Sequence, residues 1–145
     1  NDVLGVPAST LFVIANNAVI PAWLLLCFAP RWEMTKKVTI LPIFAAGITY
    51  VGLMGTFLTS GAEGDVMTLE GVRKAFGHDI VLLAGWVHYL AFDMHVGQWI
   101  VSDAHERGVR HMLVVPCLVL TLMGGPAGWL LYRIVRAIST DEMRK

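Results

Sequence analysis

Residues 80–101 read IVLLAGWVHYLAFDMHVGQWIV, and this stretch decides how the rest of the chain is read. A helix needs about 20 mostly apolar residues to cross the roughly 30 Å hydrocarbon layer of a bilayer. This run is long enough, yet it carries His88, Asp93, His95 and Gln98, with Asp103 just beyond it. A charge at membrane depth costs at least about 2–3 kcal/mol, so such groups persist where they pair inside a bundle or do chemistry. The segment therefore predicts a helix in the middle of a membrane bundle.

Three more apolar runs surround it: residues 7–29 (PASTLFVIANNAVIPAWLLLCFA), 38–58 (VTILPIFAAGITYVGLMGTFL) and 111–132 (HMLVVPCLVLTLMGGPAGWLLY). The chain has 145 residues, 56% hydrophobic and 15% charged, with a mean hydropathy of +0.63. Soluble domains carry roughly 25% charged residues. The expectation is an all-α integral membrane bundle of four transmembrane helices with short connections, forming one domain. The start lacks a basic segment and holds Asn16 and Asn17, so it reads as a retained span and not as a cleaved signal peptide. Lys plus Arg equal Asp plus Glu, at 11 each, and no basic stripe points to nucleic acid.

The connection at 31–37 is basic, the one at 59–79 is acidic, and 102–110 is mixed. Within the second, residues 67–76 (MTLEGVRKAF) predict a short amphipathic surface helix. Four spans would place Arg73, Lys74, Arg133, Arg136, Arg144 and Lys145 on one side, and Arg31, Lys36, Lys37, Arg107 and Arg110 on the other. That balance gives no orientation, beyond a weak preference for a cytoplasmic first connection. Gly52, Gly55, Gly85, Gly97, Gly124, Gly125 and Gly128 suit close helix approach. Pro21, Pro42, Pro116 and Pro126 predict kinks or breaks. A break at Gly124-Gly125-Pro126 frees carbonyls that need partners inside the protein, either at a packing kink or in a cavity wall.

At about 100° per residue, His88, His95 and Trp99 form one stripe of the third span, while Asp93 lies about 140° away beside Trp86 and Tyr89. His88 and His95 are about 10.5 Å apart along the axis, too far to share one metal ion. No other span has a central histidine, so no metal is expected and an intrachain bis-histidine haem has no second ligand. Asp103 and His111 (with His105) predict a polar cluster at the membrane surface. Asn16 or Asn17 is expected to hydrogen-bond to His88 or Asp93. Cys27 and Cys117 each lie inside an apolar run and read as small packing residues.

The stretches ANNAVIPAWLLLCFAPRW, GWVHYLAFD and PCLVLTLMGGPAG, with Asp103 and His111 between them, resemble the abscisic-acid-deficient-four-like family of small four-helix membrane proteins. Asn16, Pro21, Trp23, Pro30, His88, Asp93, Asp103, His111 and Pro116 match its pattern, whereas His95 and Gln98 depart from it. The resemblance implies a carotenoid-related role in a bacterial inner or photosynthetic membrane, or a plastid membrane. Plant members are required to form neoxanthin from violaxanthin. That isomerisation opens an epoxide and removes a proton from a polyene carbon to give an allene. It needs an acid and a base but no redox cofactor.

His88, Asp93 and Asn16 are the catalytic candidates, with Tyr89, Trp86, His95, Trp99 and Gln98 around the substrate. Their different helix faces make His88 and Asp93 a difficult pair. His88 with Asn16 and Asp93 with Tyr89 are the local alternatives. Two other classes compete with the isomerase. One is a non-catalytic carotenoid- or lipid-binding subunit of a larger, photosynthetic complex or a homo-oligomer. The other is a small transporter or channel.

Overall fold

The computed structural model describes residues 2, 3 and 5–142, without the side chains of Asp2 and 140–142. Arg144 and Lys145 lie outside the described residues. The elements run β1 (Asp2–Val3), β2 (Val6–Pro7), α1 (Ala8–Phe28), α2 (Glu33–Thr59), α3 (Leu69–Phe76), α4 (Asp79–Glu106), α5 (His111–Gly124) and α6 (Pro126–Glu142). The fold is all-α apart from the two-residue antiparallel ladder of β1 and β2. Val3 from that ladder is buried against Leu53, Leu83, Ala84 and Val87.

α4 is the hub, touching α1, α2, α3, α5 and α6. One core joins Trp23 and Leu26 of α1, Met94 and Ile100 of α4, Leu118 of α5 and Tyr132 of α6. Close approach of α1 to α4 depends on Gly97, where an added Cβ would come within 2.9 Å of the Trp23 ring. Gly85 makes similar room for Phe76, but Gly52, Gly55 and Gly124 have no neighbour within 4 Å of such a Cβ. The close packing expected at Gly52 and Gly55 is therefore not found. The helices continue through Pro21, Pro42 and Pro116.

The predicted surface helix forms as α3. Thr68 caps it by accepting a hydrogen bond from the Gly71 amide at 2.9 Å, which satisfies one of the free donors of the first turn. Asp65 accepts from the amides of Met67 and Thr68 just before it.

α1, α2 and α4 are long and apolar enough to cross a membrane. Their outer faces carry Phe28, Phe44, Ile48, Val51, Leu58 and Phe92, each more than half exposed. An apolar exterior this extensive needs lipid or a partner to cover it.

The single helix expected over 111–132 is instead two helices that fold back on each other. α5 is 14 residues long, about 21 Å at 1.5 Å per residue, short of the roughly 30 Å of a hydrocarbon layer. The reversal is visible at Gly128, where an added Cβ would overlap the Thr121 amide nitrogen and crowd the Cys117 carbonyl oxygen. In a continuous helix, residues 121 and 128 would be about 10.5 Å apart along the axis. Pro126 is the first residue of α6, the helical position where a missing N–H is harmless. α6 then returns to the end of α4 from which α5 started, and the Tyr132 hydroxyl donates to the Asp103 carboxylate at 2.6 Å.

Gly128→Ala should lower the midpoint of thermal unfolding in detergent far more than Gly124→Ala, by a cost of about 1–3 kcal/mol from overpacking. Equal midpoints for the two variants would contradict the hairpin.

Candidate functional site

The tip of the α5–α6 hairpin meets the middle of α4 at Asp93. This residue is 7% exposed, and its Oδ1 occupies the space that a Cβ on Gly125 would fill. Its Oδ2 has no hydrogen-bond partner among the described residues. A buried carboxyl oxygen left unpaired carries a desolvation cost, which makes Asp93 a candidate functional group; Trp23 Nε1 is likewise without a partner among the described residues. The first turn of α6 begins directly after Gly125, and the positive end of a helix dipole favours a carboxylate there.

Tyr89, one turn before Asp93 on α4, has its hydroxyl beside the Asp93 carboxyl. That hydroxyl also donates to the Leu122 carbonyl of α5 at 3.4 Å. Leu122 belongs to the last turn of α5, whose carbonyls lack partners within the helix. Tyr89 thus links the hairpin tip to α4 and stays partly exposed.

An aromatic row leads to this point. Phe12 of α1 and Trp86 have ring centroids 5.2 Å apart, and Trp86 and Tyr89 are 5.4 Å apart. The Trp86 indole N–H donates to Asn16 Oδ1 at 2.9 Å, fixing the ring against α1. Asn16 therefore pairs with Trp86 and not with His88 or Asp93, while the Asn17 amide turns back to the Val13 carbonyl. An apolar cleft of about 410 Å³ lies beside Phe12, Leu82 and Trp86 at the start of the row.

His88 is elsewhere. It is exposed, packed on Phe92 at 4.5 Å and Tyr50 at 5.4 Å between ring centroids. His95 is exposed as well, and Trp99 is 37% exposed and edge-on to Tyr132. The stripe of His88, His95 and Trp99 thus lies on the outer surface of α4, and among the described residues the hydrogen bond expected between Asn16 or Asn17 and His88 is not found. Gln98 donates to the Thr39 hydroxyl at 2.5 Å and so ties α4 to α2.

The expected joint cluster of Asp103 and His111 separates into two arrangements. Asp103 accepts from Tyr132, from Arg107 Nε at 2.9 Å and from Arg136 at 3.1 Å. The Asp103 carboxylate holds the Arg107 guanidinium above its ordinary pKa, by hydrogen bond first and by charge second. His111 Nε2 lies 2.8 Å from the Cys27 carbonyl and joins α5 to the end of α1. Among the described residues no three His, Cys, Asp or Glu side chains converge to hold a metal ion.

The fold and this site define a small all-helical protein whose central helix presents a buried, unsatisfied carboxyl to a helical hairpin. The chain belongs to the ABA DEFICIENT 4-like family, whose model matches residues 10–132. It is 26% identical over 148 residues to Protein ABA DEFICIENT 4, chloroplastic, of Arabidopsis thaliana. The match covers 94% of this chain and spans 65% of that relative's length. No solved structure matches the chain.

The two carboxylates should separate by stability. Asp103→Asn weakens three charge-assisted contacts and should cost about 2–3 kcal/mol, whereas Asp93→Asn should cost under about 1 kcal/mol. Thermal unfolding of both variants in detergent measures the difference, and a larger loss for Asp93→Asn would refute the assignment of Asp103 as the structural group.

Proposed function

We propose that this protein is a membrane-embedded carotenoid isomerase that opens an epoxide end group to an allene at the Asp93–Tyr89 pair. The observation carrying this reading is the buried Asp93 carboxyl with an unpartnered oxygen at the end of the Phe12–Trp86–Tyr89 row. A polyene is long, flat and apolar, and stacked aromatic rings on an apolar wall suit it. The cleft at the start of the row extends to Asp79, and Asp79 and Asp93 are about 21 Å apart along α4, so cleft and row together offer a length of that order. Membership in the ABA DEFICIENT 4-like family supports a carotenoid-related function.

In the mechanism, the Asp93–Tyr89 pair begins with one proton to give. The partly exposed Tyr89 hydroxyl donates to the epoxide oxygen as the ring carbon–oxygen bond opens, and Asp93 replaces that proton. The negative charge left on Asp93 is stabilised by the start of α6. A proton then leaves the adjacent polyene carbon, its electrons form the second double bond of the allene, and the pair takes it up. The hydroxyl stays on the product, no electrons are exchanged, and the pair ends as it began. No cofactor is needed for this sequence. Trp86, held by Asn16, orients the polyene. His88 has no part in the step, because its surface faces Tyr50 and Phe92.

α1, α2 and α4 cross the bilayer in this reading, with α5–α6 entering and leaving on one side. Arg31, Lys36, Lys37, Arg107, Arg110, Arg133 and Arg136 then lie at one end, against Arg73 and Lys74 at the other. Cytoplasmic loops carry an excess of Lys and Arg, which favours a cytoplasmic position for the end that holds Arg31, Lys36 and Lys37. The exposed aromatic row would also hold a carotenoid without converting it, the alternative of a pigment-binding subunit.

Chromatography of violaxanthin incubated with the detergent-purified protein tests the reaction. Asp93→Asn and Tyr89→Phe should each reduce allene formation about a hundredfold or more, and His88→Ala should leave it within about threefold. Turnover that survives Asp93→Asn but vanishes with His88→Ala would overturn the proposal. Binding without any turnover by the native chain would leave the pigment-binding subunit.

A further inference from the structure

A second cleft, remote from Asp93, opens where the α1–α2 connection meets the end of α4. It measures about 410 Å³ and is lined by Arg31, Trp32, Lys36 and His105 above an apolar wall that includes Leu26 and Val101. A smaller cleft of about 150 Å³ continues from it to Arg110 and shares Arg31 and His105. Neither Arg31 nor Lys36 has a side-chain ion-pair or hydrogen-bond partner among the described residues. Glu33 also lines the cleft, so the cations outnumber the anion and the net field is positive.

We infer that this cleft binds the headgroup of an anionic membrane lipid, with an acyl chain against its apolar wall. The inference rests on the membrane-embedded reading of α1, α2 and α4. In that setting the ends of these helices lie at headgroup depth, where Trp32 suits the interface. Arg31 supplies a planar pair of donors that fits a phosphate or sulfonate, and Lys36 adds a second, point-like charge. Ser102 and His105 on α4 offer further hydrogen bonds from the opposite wall. The descent from charged rim to Leu26 and Val101 fits an amphiphile better than a free anion. The fold-back of α6 brings Arg133 and Arg136 to the same end of the bundle, outside the cleft, and Arg136 is paired there with Asp103.

Native mass spectrometry of the full chain in mild detergent, titrated with phosphatidylglycerol or phosphatidylcholine, tests this. The native chain should retain phosphatidylglycerol and shed phosphatidylcholine. Arg31→Gln with Lys36→Gln should weaken phosphatidylglycerol binding about thirtyfold, the effect of two surface cations on an anionic lipid. Arg31→Lys with Lys36→Arg, which keeps the charge, should retain most of the binding, and Arg133→Gln, outside the cleft, should leave it unchanged. Equal binding by the double Gln variant, equal retention of phosphatidylcholine, or displacement by inorganic phosphate alone would each overturn the inference. Alkaline carbonate extraction of native membranes separates the two readings. Release of the chain into the supernatant defeats the membrane reading itself, whereas a chain that stays in the membrane yet binds no phosphatidylglycerol defeats only the lipid site.

Discussion

The hydrogen bond from Tyr132 to Asp103 holds the architecture together. It joins residues 29 positions apart and fixes the direction in which the chain leaves the hairpin. Asp103 accepts from Arg107 and Arg136 as well, so a nearly buried carboxylate is paired on all sides. Removing one partner of such a group is costly because the other is left desolvated. With α6 tied back in this way, the hairpin tip is pressed against α4 at the depth of Asp93. The site therefore follows from the fold-back.

The two aspartates of α4 meet opposite surroundings. Asp103 is saturated with donors and serves structure. Asp93 lies three turns earlier, equally shielded, with one oxygen against Gly125 and the other without a hydrogen-bond partner among the described residues. The difference comes from what each meets: an arginine-bearing helix in one case, a glycine turn in the other. A side chain at position 125 would displace the Asp93 carboxyl, so the glycine that permits the turn also makes the site.

Much of this was legible in the sequence. Residues 38–58 and 80–101 lie inside α2 and α4, and 7–29 overhangs α1 by one residue at each end, because long apolar runs leave few other structures; α2 starts five residues earlier and α4 ends five residues later than the apolar runs themselves. The helical wheel also placed Asp93 with Tyr89 and Trp86 and apart from His88. It did not reveal which face was inside. In a soluble helix the apolar side is the buried one, but here the exterior is as apolar as the core, and amphipathicity loses its direction. His88 and His95 consequently read as interior groups and proved to be on the outer surface.

The hairpin was hidden for a related reason. A Gly-Gly-Pro break permits either a kink or a reversal, and the choice is made by contacts distant in sequence. The fold-back also changes the charge balance. A continuous fourth span divides the basic residues almost evenly, whereas the hairpin gathers most of them at one end. Sidedness is therefore the most direct test of the account. With Cys27 and Cys117 replaced by alanine, single cysteines at Lys37, Ser60 and Ile138 would be labelled in sealed vesicles with a membrane-impermeant maleimide. The hairpin predicts that positions 37 and 138 react from one side and position 60 from the other. Labelling of 138 together with 60 would mean that the fourth apolar run crosses the bilayer, and the account would be wrong at its centre.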